Sequence, residues 1–205
     1  MAGNKNSTDG RDRSHLQTSL FPVEKNVPSG FRYIETFLSI QEEQALLENI
    51  SLIDLHPLIF QGYEAKRKVK SFGYDYHFDS RTLTEGRPIP EGFTAILERV
   101  AGQINLPASD IKEVLITEYP PGAVINWHRD APPFDIIIGI SLMSDCKFRF
   151  RPYDKSQQGR GSIIALPVKR RSLYVLSGEA RSDWEHSIAP VKAQRYSLTL
   201  RTLKR

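Results

Sequence analysis

The stretch from Val124 to Leu142 reads VINWHRDAPPFDIIIGISL. Its first part, Val124–His128, has strand character. The pair Pro132-Pro133 then breaks the chain, and a long apolar strand, Asp135–Leu142, follows. Residues i and i+2 of a strand project to the same face. His128 and Asp130 therefore place an imidazole and a carboxylate where one pocket, and one cation, can receive both.

Outward from this stretch the chain after Asp110 is β-like to its end. Strands are expected near Val114–Tyr119, Val124–His128, Asp135–Leu142, Lys147–Arg151, Ser162–Leu166, Ser172–Leu176, Glu185–Ile188 and Arg195–Arg201. Turns fall at Pro120-Pro121-Gly122, Pro132-Pro133, Ser144-Asp145, Gln158–Gly161 and Ser177-Gly178. Eight short strands with regular turn signals predict a barrel or jelly roll. No internal repeat is visible. Before Asp110 the pattern changes. Phe31–Phe37 reads as extended. Ser39 and Glu42 form a capping box ahead of Ala45, Leu46, Leu47 and Ile50, which predicts a helix to about Ser51. Pro90 opens a second helix whose apolar stripe is Phe93, Ile96, Leu97, Val100 and Ile104. Between them, Pro57–Asp79 is rich in aromatic and basic residues and reads as a hairpin or a pair of short strands around Gly62 and Gly73. The class is α+β: a jelly-roll, cupin-like double-stranded β-helix core flanked by N-terminal helices.

The 205 residues fit one domain with a short extension. Residues 1–19 are polar, lack hydrophobic periodicity and are expected to form a disordered tail, with the ordered domain spanning 20–205. The 28 Lys and Arg against 24 Asp and Glu leave a mildly basic chain, which permits an acidic partner without demanding one. Cys146 is the one cysteine, so no intrachain disulfide is possible. The absence of an apolar leader or a membrane-length run predicts an intracellular protein, cytoplasmic or nuclear, without a membrane partner.

His-x-Asp alone is a weak signal, and His77-Phe78-Asp79 repeats it. Context separates the two. His77 precedes a polar loop and then a helix, so it is expected to stand outside the sheet, whereas His128 and Asp130 stand between strands. A third ligand comes from His186 in Asp183–Ile188, a strand far enough downstream for an eight-strand roll to bring it to the same mouth. Two histidines and a carboxylate on one face leave open positions on the other side of an iron ion. The last strand, Arg195–Arg201, alternates. Arg195, Ser197, Thr199 and Arg201 share one face, Tyr196, Leu198 and Leu200 the other. The apolar face can pack under a helix while the polar face lines the roll. Buried arginines require anions. No carboxylate within the strand serves them, so a bound dianion is expected, met by Arg forks.

With His128, Asp130, His186, Arg195 and Arg201 in this order, the chain resembles the AlkB family of Fe(II)- and 2-oxoglutarate-dependent dioxygenases, from about Leu52 to the C-terminus. The resemblance implies that His128, Asp130 and His186 bind Fe(II). It implies that Arg195 and Arg201 take the two carboxylates of 2-oxoglutarate, with Tyr119, Thr117 and Ser197 in the same co-substrate site. Thr117 stands where the family commonly has an asparagine, and Pro132 where several DNA-repair members have an acidic residue. The resemblance further implies O2 as co-substrate and a nucleotide-recognition lid over 52–80, seen in Gly73-Tyr74-Asp75-Tyr76 followed by Ile89-Pro90 and Phe93. The protein is expected to act as a monomer.

A base edge inside a duplex is inaccessible, so the alkylated DNA or RNA such an enzyme takes must be single-stranded or present a flipped base. Tyr74 and Tyr76 can stack on that base, and Lys66, Arg67, Lys68 and Lys70 can meet phosphates. Lys169-Arg170-Arg171 reads as a charged turn. Three readings stand at this point: oxidative demethylation of N-alkylated bases with release of formaldehyde, succinate and CO2; an oxygenase of the same family acting on protein or another substrate; and a non-catalytic jelly-roll binding module.

Overall fold

The computed structural model describes residues 1, 27–60 and 62–205. Apart from Met1, the tail expected over 1–19 and the ordered start near Leu20 fall outside these. In chain order the elements are β1 (Phe31–Ile34), α1 (Ile40–Ser51), β2 (His56–Phe60), β3 (Tyr63–His77), β4 (Thr82–Glu85), α2 (Thr94–Ile104), β5 (Ile111–Tyr119), β6 (Ile125–His128), β7 (Phe134–Leu142), β8 (Cys146–Pro152), β9 (Ile164–Val168), β10 (Leu173–Leu176), α3 (Gly178–Ser182), β11 (Trp184–Ile188) and β12 (Arg195–Leu203). All eight expected C-terminal strands form, within one to three residues at their ends. Among the described residues no helix is long and apolar enough to cross a membrane.

Two sheets make the jelly-roll core. The major sheet runs β1-β10-β7-β12-β5-β3-β2 with β4 paired to β3, and the minor sheet runs β6-β11-β8-β9. Between them lie Phe134, Ile137, Phe148, Phe150, Tyr174 and Ile188. The other face of the major sheet carries Val114, Ile116, Ile138, Ile140, Leu198 and Leu200 under Leu46, Ile50, Phe93, Ile96 and Val100 of the helical layer. Period two sorts β12 as its alternation requires: Leu198 and Leu200 turn to the helices, Arg195 and Ser197 to the inter-sheet space. In α1 Ser39 accepts a hydrogen bond from the Glu42 amide and the Glu42 carboxylate accepts one from the Ser39 amide, so the box satisfies two free helix-end donors. Arg99 of α2 donates to Glu42 and to the Phe37 carbonyl, tying the two helices together.

Three expectations over 52–80 change. Gly62 is the turn between β2 and β3, but Gly73 is a bend within a single 15-residue strand, at φ +84°. A Cβ at Gly73 would overlap the Lys112 carbonyl oxygen, so only glycine lets the strand turn there. Past this bend β3 pairs with β4, and His77 lies opposite Thr82 within that ladder rather than outside any sheet. Its Nε2 meets Thr84 Oγ1 at 2.9 Å, a surface role. The basic residues also separate. Lys68 and Lys70 pair beside Glu118 and Ile116, on the helix side, while Arg67 alternates to the inner side. Lys70 lines a cleft of about 550 Å³ with Asp54, His56 and Arg87, which contains none of the candidate metal ligands. A single lid surface bearing all four cations is therefore not formed. The turn at Lys169–Arg171 is as expected, its charges taken up by Asp145 and the buried Glu43.

Candidate metal and co-substrate site

Antiparallel pairing assembles the triad. In the register of β6 with β11, His186 lies directly opposite His128, and their ring centres are 4.3 Å apart. Asp130 is not on the strand with His128. It sits two residues beyond the end of β6, in the loop that leads into β7. One ligand atom from each of His128, Asp130 and His186 lies within 4.8 Å of the others. The loop is pinned by Arg181 of α3, whose Nη2 donates to the carbonyls of Asp130, Ala131 and Phe134 at 3.1, 2.8 and 3.0 Å.

The hydrogen bonds leave the ligand atoms facing one point. His128 Nδ1 is 2.9 Å from the Asn126 carbonyl, which holds the Nδ1–H tautomer and presents the Nε2 lone pair. His186 stacks flat on Phe148, with Nε2 3.4 Å from Asp130 Oδ2. Asp130 Oδ1 accepts from Arg201 Nε and Nη2 at 2.9 and 2.7 Å, while Oδ2 is buried and accepts no hydrogen bond. A buried carboxylate oxygen without a donor is costly unless a cation meets it. Burial would raise the Asp130 carboxyl, but Arg201 first and then the two imidazoles hold it well below the usual carboxylate range. Burial, with His128 nearby, pushes His186 down to about 3, so its ring is neutral at physiological pH and keeps a lone pair. The donor set fits Fe(II).

The second half of the site is an anion pocket. Arg195 is fully buried. Its Nε donates to Ser141 Oγ at 3.0 Å, but Nη1 and Nη2 have no acceptor. The guanidinium lies 4.7 Å from the Tyr119 ring centre, and Ser197 Oγ is 3.4 Å from the Tyr119 hydroxyl. Thr117 faces Ser197 in the register of β5 with β12. Burial opposes the charge on Arg195, yet the neighbouring Cys146, Tyr119 and Tyr174 raise its proton affinity, while burial pushes both the Cys146 thiol and the Tyr174 phenol up. A fixed cation whose Nη1 and Nη2 amino groups lack acceptors, with hydroxyls beside it, fits one carboxylate of 2-oxoglutarate.

Arg201 departs from the expectation that only a bound dianion satisfies it. Its Nη1 donates to Glu113 Oε2 at 2.5 Å, in addition to the bonds to Asp130. Glu113 in turn accepts from Ser71 at 3.1 Å. Burial raises the Glu113 carboxyl against the pull of Arg201. Reading the sequence strand by strand misses Glu113, because its role depends on the neighbouring strand. The signal was present: stepping by twos from Arg195 opposite Tyr119 brings Arg201 opposite Glu113. Arg181, between the turn read at Ser177-Gly178 and the strand read at Glu185–Ile188, had no such signal. Of the expected substrate residues, Arg67 donates to the Val124 carbonyl at 3.4 Å, and Tyr76 packs edge-on to Phe78 against the inter-sheet core. Tyr74 is half-buried beside Glu85, and Pro132 is exposed.

A model of the 2OG-Fe(II) oxygenase superfamily matches residues 30–202. The mouse tRNA (carboxymethyluridine(34)-5-O)-methyltransferase ALKBH8 is 32% identical over 173 residues, 81% of this chain and 25% of that protein. The bovine RNA demethylase ALKBH5 is 34% identical over 131 residues, 58% of this chain and 27% of that protein. This chain thus spans about a quarter of the length of both. The solved structure of OsALKBH1 superposes with a TM-score of 0.69 at 14% identity, over 87% of this chain and 99% of that one, and shows the shared fold. Sequence, fold and triad together place the chain in the 2OG-Fe(II) oxygenase superfamily, within its AlkB family.

Proposed function

We propose that this protein is an Fe(II)- and 2-oxoglutarate-dependent dioxygenase that removes a methyl group from an N-methylated base in a single-stranded nucleic acid, RNA first. The observation that carries the chemistry is the pairing of buried, unpartnered groups of opposite sign: Asp130 Oδ2 between two imidazoles, and the two Nη atoms of Arg195. Bound there, Fe(II) and 2-oxoglutarate supply O2 activation, in which one oxygen atom converts the co-substrate to succinate and CO2 and the other enters a C–H bond of the substrate. The protein supplies the geometry. His128, Asp130 and His186 hold the metal, Arg201 fixes the Asp130 carboxylate, and Arg195 with Tyr119, Ser197 and Thr117 orients the co-substrate. The aromatic walls of Phe148 and Tyr174 exclude water from this end. A hydroxymethyl group on a base nitrogen then leaves as formaldehyde: its hydroxyl proton is given up, the N–C bond breaks and the electron pair returns to the base nitrogen. Arg67, Tyr74 and Tyr76 support a base-binding mouth on the inner side of β3. The mouse and bovine relatives described above are named for tRNA and RNA, which supports RNA as the first polymer to test.

The test is mass spectrometry of RNA and DNA oligonucleotides carrying 1-methyladenine or 3-methylcytosine, incubated with the protein, Fe(II) and 2-oxoglutarate, with His128→Ala as control. Loss of 14 mass units, about one methylene, that needs 2-oxoglutarate is the expected result. Succinate formed without loss of the methyl group redirects the search to another substrate class.

A further inference from the structure

The outer face of the minor sheet carries cations and rings that the site does not use. Side chains alternate across a strand, so Trp127 points away from the face that holds His128, and Lys147, Arg149 and Arg151 point away from the buried Phe148 and Phe150. The Arg149 and Arg151 guanidinium carbons lie 4.9 and 4.7 Å from the centre of the Trp127 ring. Just beyond, the Arg129 guanidinium sits 3.4 Å over the half-exposed ring of Tyr153.

These cations are held by one bond each and keep further donors. Arg149 Nε donates to Ser187 Oγ, Arg151 Nε to Glu185, and Arg129 Nη1 to the Ser182 carbonyl. Among the described residues, Glu185 is the one carboxylate that Arg129, Lys147, Arg149 and Arg151 meet. The face therefore has a large excess of positive charge with guanidinium planes already stacked on aromatic rings. That combination offers phosphate forks and stacking surfaces together, which suits a single-stranded nucleic acid. A lipid surface would find the charge but little to insert, since Trp127 lies clamped by the two arginines.

We propose that this face docks the part of a single-stranded RNA that lies beyond the base in the candidate site. The identity of the polymer rests on the function proposed above. The route follows from topology. β6 is the edge of the minor sheet and ends at His128, so Trp127 and Arg129 flank a metal ligand on the opposite face. A strand leaving the mouth over that edge meets these two first and the β8 cations next. Lys147 to Tyr153 spans about 20 Å of extended chain, enough for several nucleotides.

The experiment is fluorescence anisotropy with the full chain and a fluorescein-labelled, unmethylated 20-nucleotide uridine-rich RNA, across a salt series. Lys147→Glu/Arg149→Glu is expected to weaken binding at least tenfold and to flatten the log–log salt slope by about 1.4. If charge reversal lowers the melting temperature, Lys147→Ala/Arg149→Ala replaces it, with the same direction expected. Turnover separates this inference from the function itself. The variant is expected to match the parent on a methylated trinucleotide and to show a raised KM on a methylated 20-mer. Absence of demethylation on every RNA defeats the proposed function, whereas the binding of unmethylated RNA still decides the docking face. RNA affinity and salt slope equal to the parent's overturn the docking proposal. So does a loss confined to phosphatidylserine vesicles, which would assign the face to a membrane.

Discussion

At the scale of single residues, the two arginines of β12 do different work. Arg195 has two buried N–H groups free to fork a carboxylate, whereas Arg201 is held between Asp130 and Glu113. Arg195→Lys keeps the charge but replaces the planar fork by a point charge. It is expected to weaken 2-oxoglutarate binding by about 1.5–3 kcal/mol, measured calorimetrically on Mn(II)-loaded protein, with metal affinity unchanged. Glu113→Gln has the reverse signature. It loosens Arg201, and through it Asp130, so metal affinity should drop about ten- to a hundredfold in a Mn(II) titration. Equal metal affinity in this variant and the parent would reduce Glu113 to a packing residue. The triad, Arg195 and Arg201 could be named from the sequence because they follow in one order: His-x-Asp at a strand end, a downstream His, and two arginines six residues apart on one strand face. The second carboxylate on Arg201 could not, because a charge partner is a property of two strands in register.

At the scale of elements, alternation of apolar and polar residues made the C-terminal strands legible, and the capping box made α1 legible. The segment from β2 to β4 was harder. In sequence the aromatic residues Phe72, Tyr74, Tyr76 and Phe78 alternate straight through Gly73, but there a bend turns the strand from the major sheet toward β4, so Phe72 packs with the helical layer and Tyr76 with the inter-sheet core. Gly73→Ala tests that bend. The added Cβ meets the Lys112 carbonyl and the backbone must hold a left-handed conformation. A loss of about 1–3 kcal/mol is expected, read from urea unfolding. Since Tyr74 and Tyr76 lie just past the bend, weaker binding of methylated oligonucleotide should accompany it. The same alternation divides Arg67 from Lys68 and Lys70, so substituting the whole basic run would mix two faces of one sheet.

At the scale of the whole molecule, the site is a meeting of two sheets, and its acids and bases are linked to folding. His186 has its proton affinity lowered to about 3 by burial, first, and by His128. Between that value and the unfolded value of about 6.5 the unfolded chain binds a proton that the folded one does not. Stability of the metal-free protein is therefore complete above this window and falls as pH is lowered through it, by at most about 1.4 kcal/mol per pH unit from this group. Thermal melts from pH 7.5 to 5 should show that fall, and His186→Asn should flatten part of it. Mn(II) at a hundredfold excess over Kd should add about 2.7 kcal/mol near neutral pH, an increment removed by EDTA. By itself the sequence determined the elements, the class of fold and the residues able to grip a metal and an anion, because side-chain period and residue chemistry are local properties. Tertiary structure alone decided that His186 stands opposite His128, that Arg201 is shared between Asp130 and Glu113, and that Arg67 faces inward while its lysine neighbours do not. Strand register and sheet packing join residues far apart in the chain, and the residues themselves carry no local record of which partner they will meet.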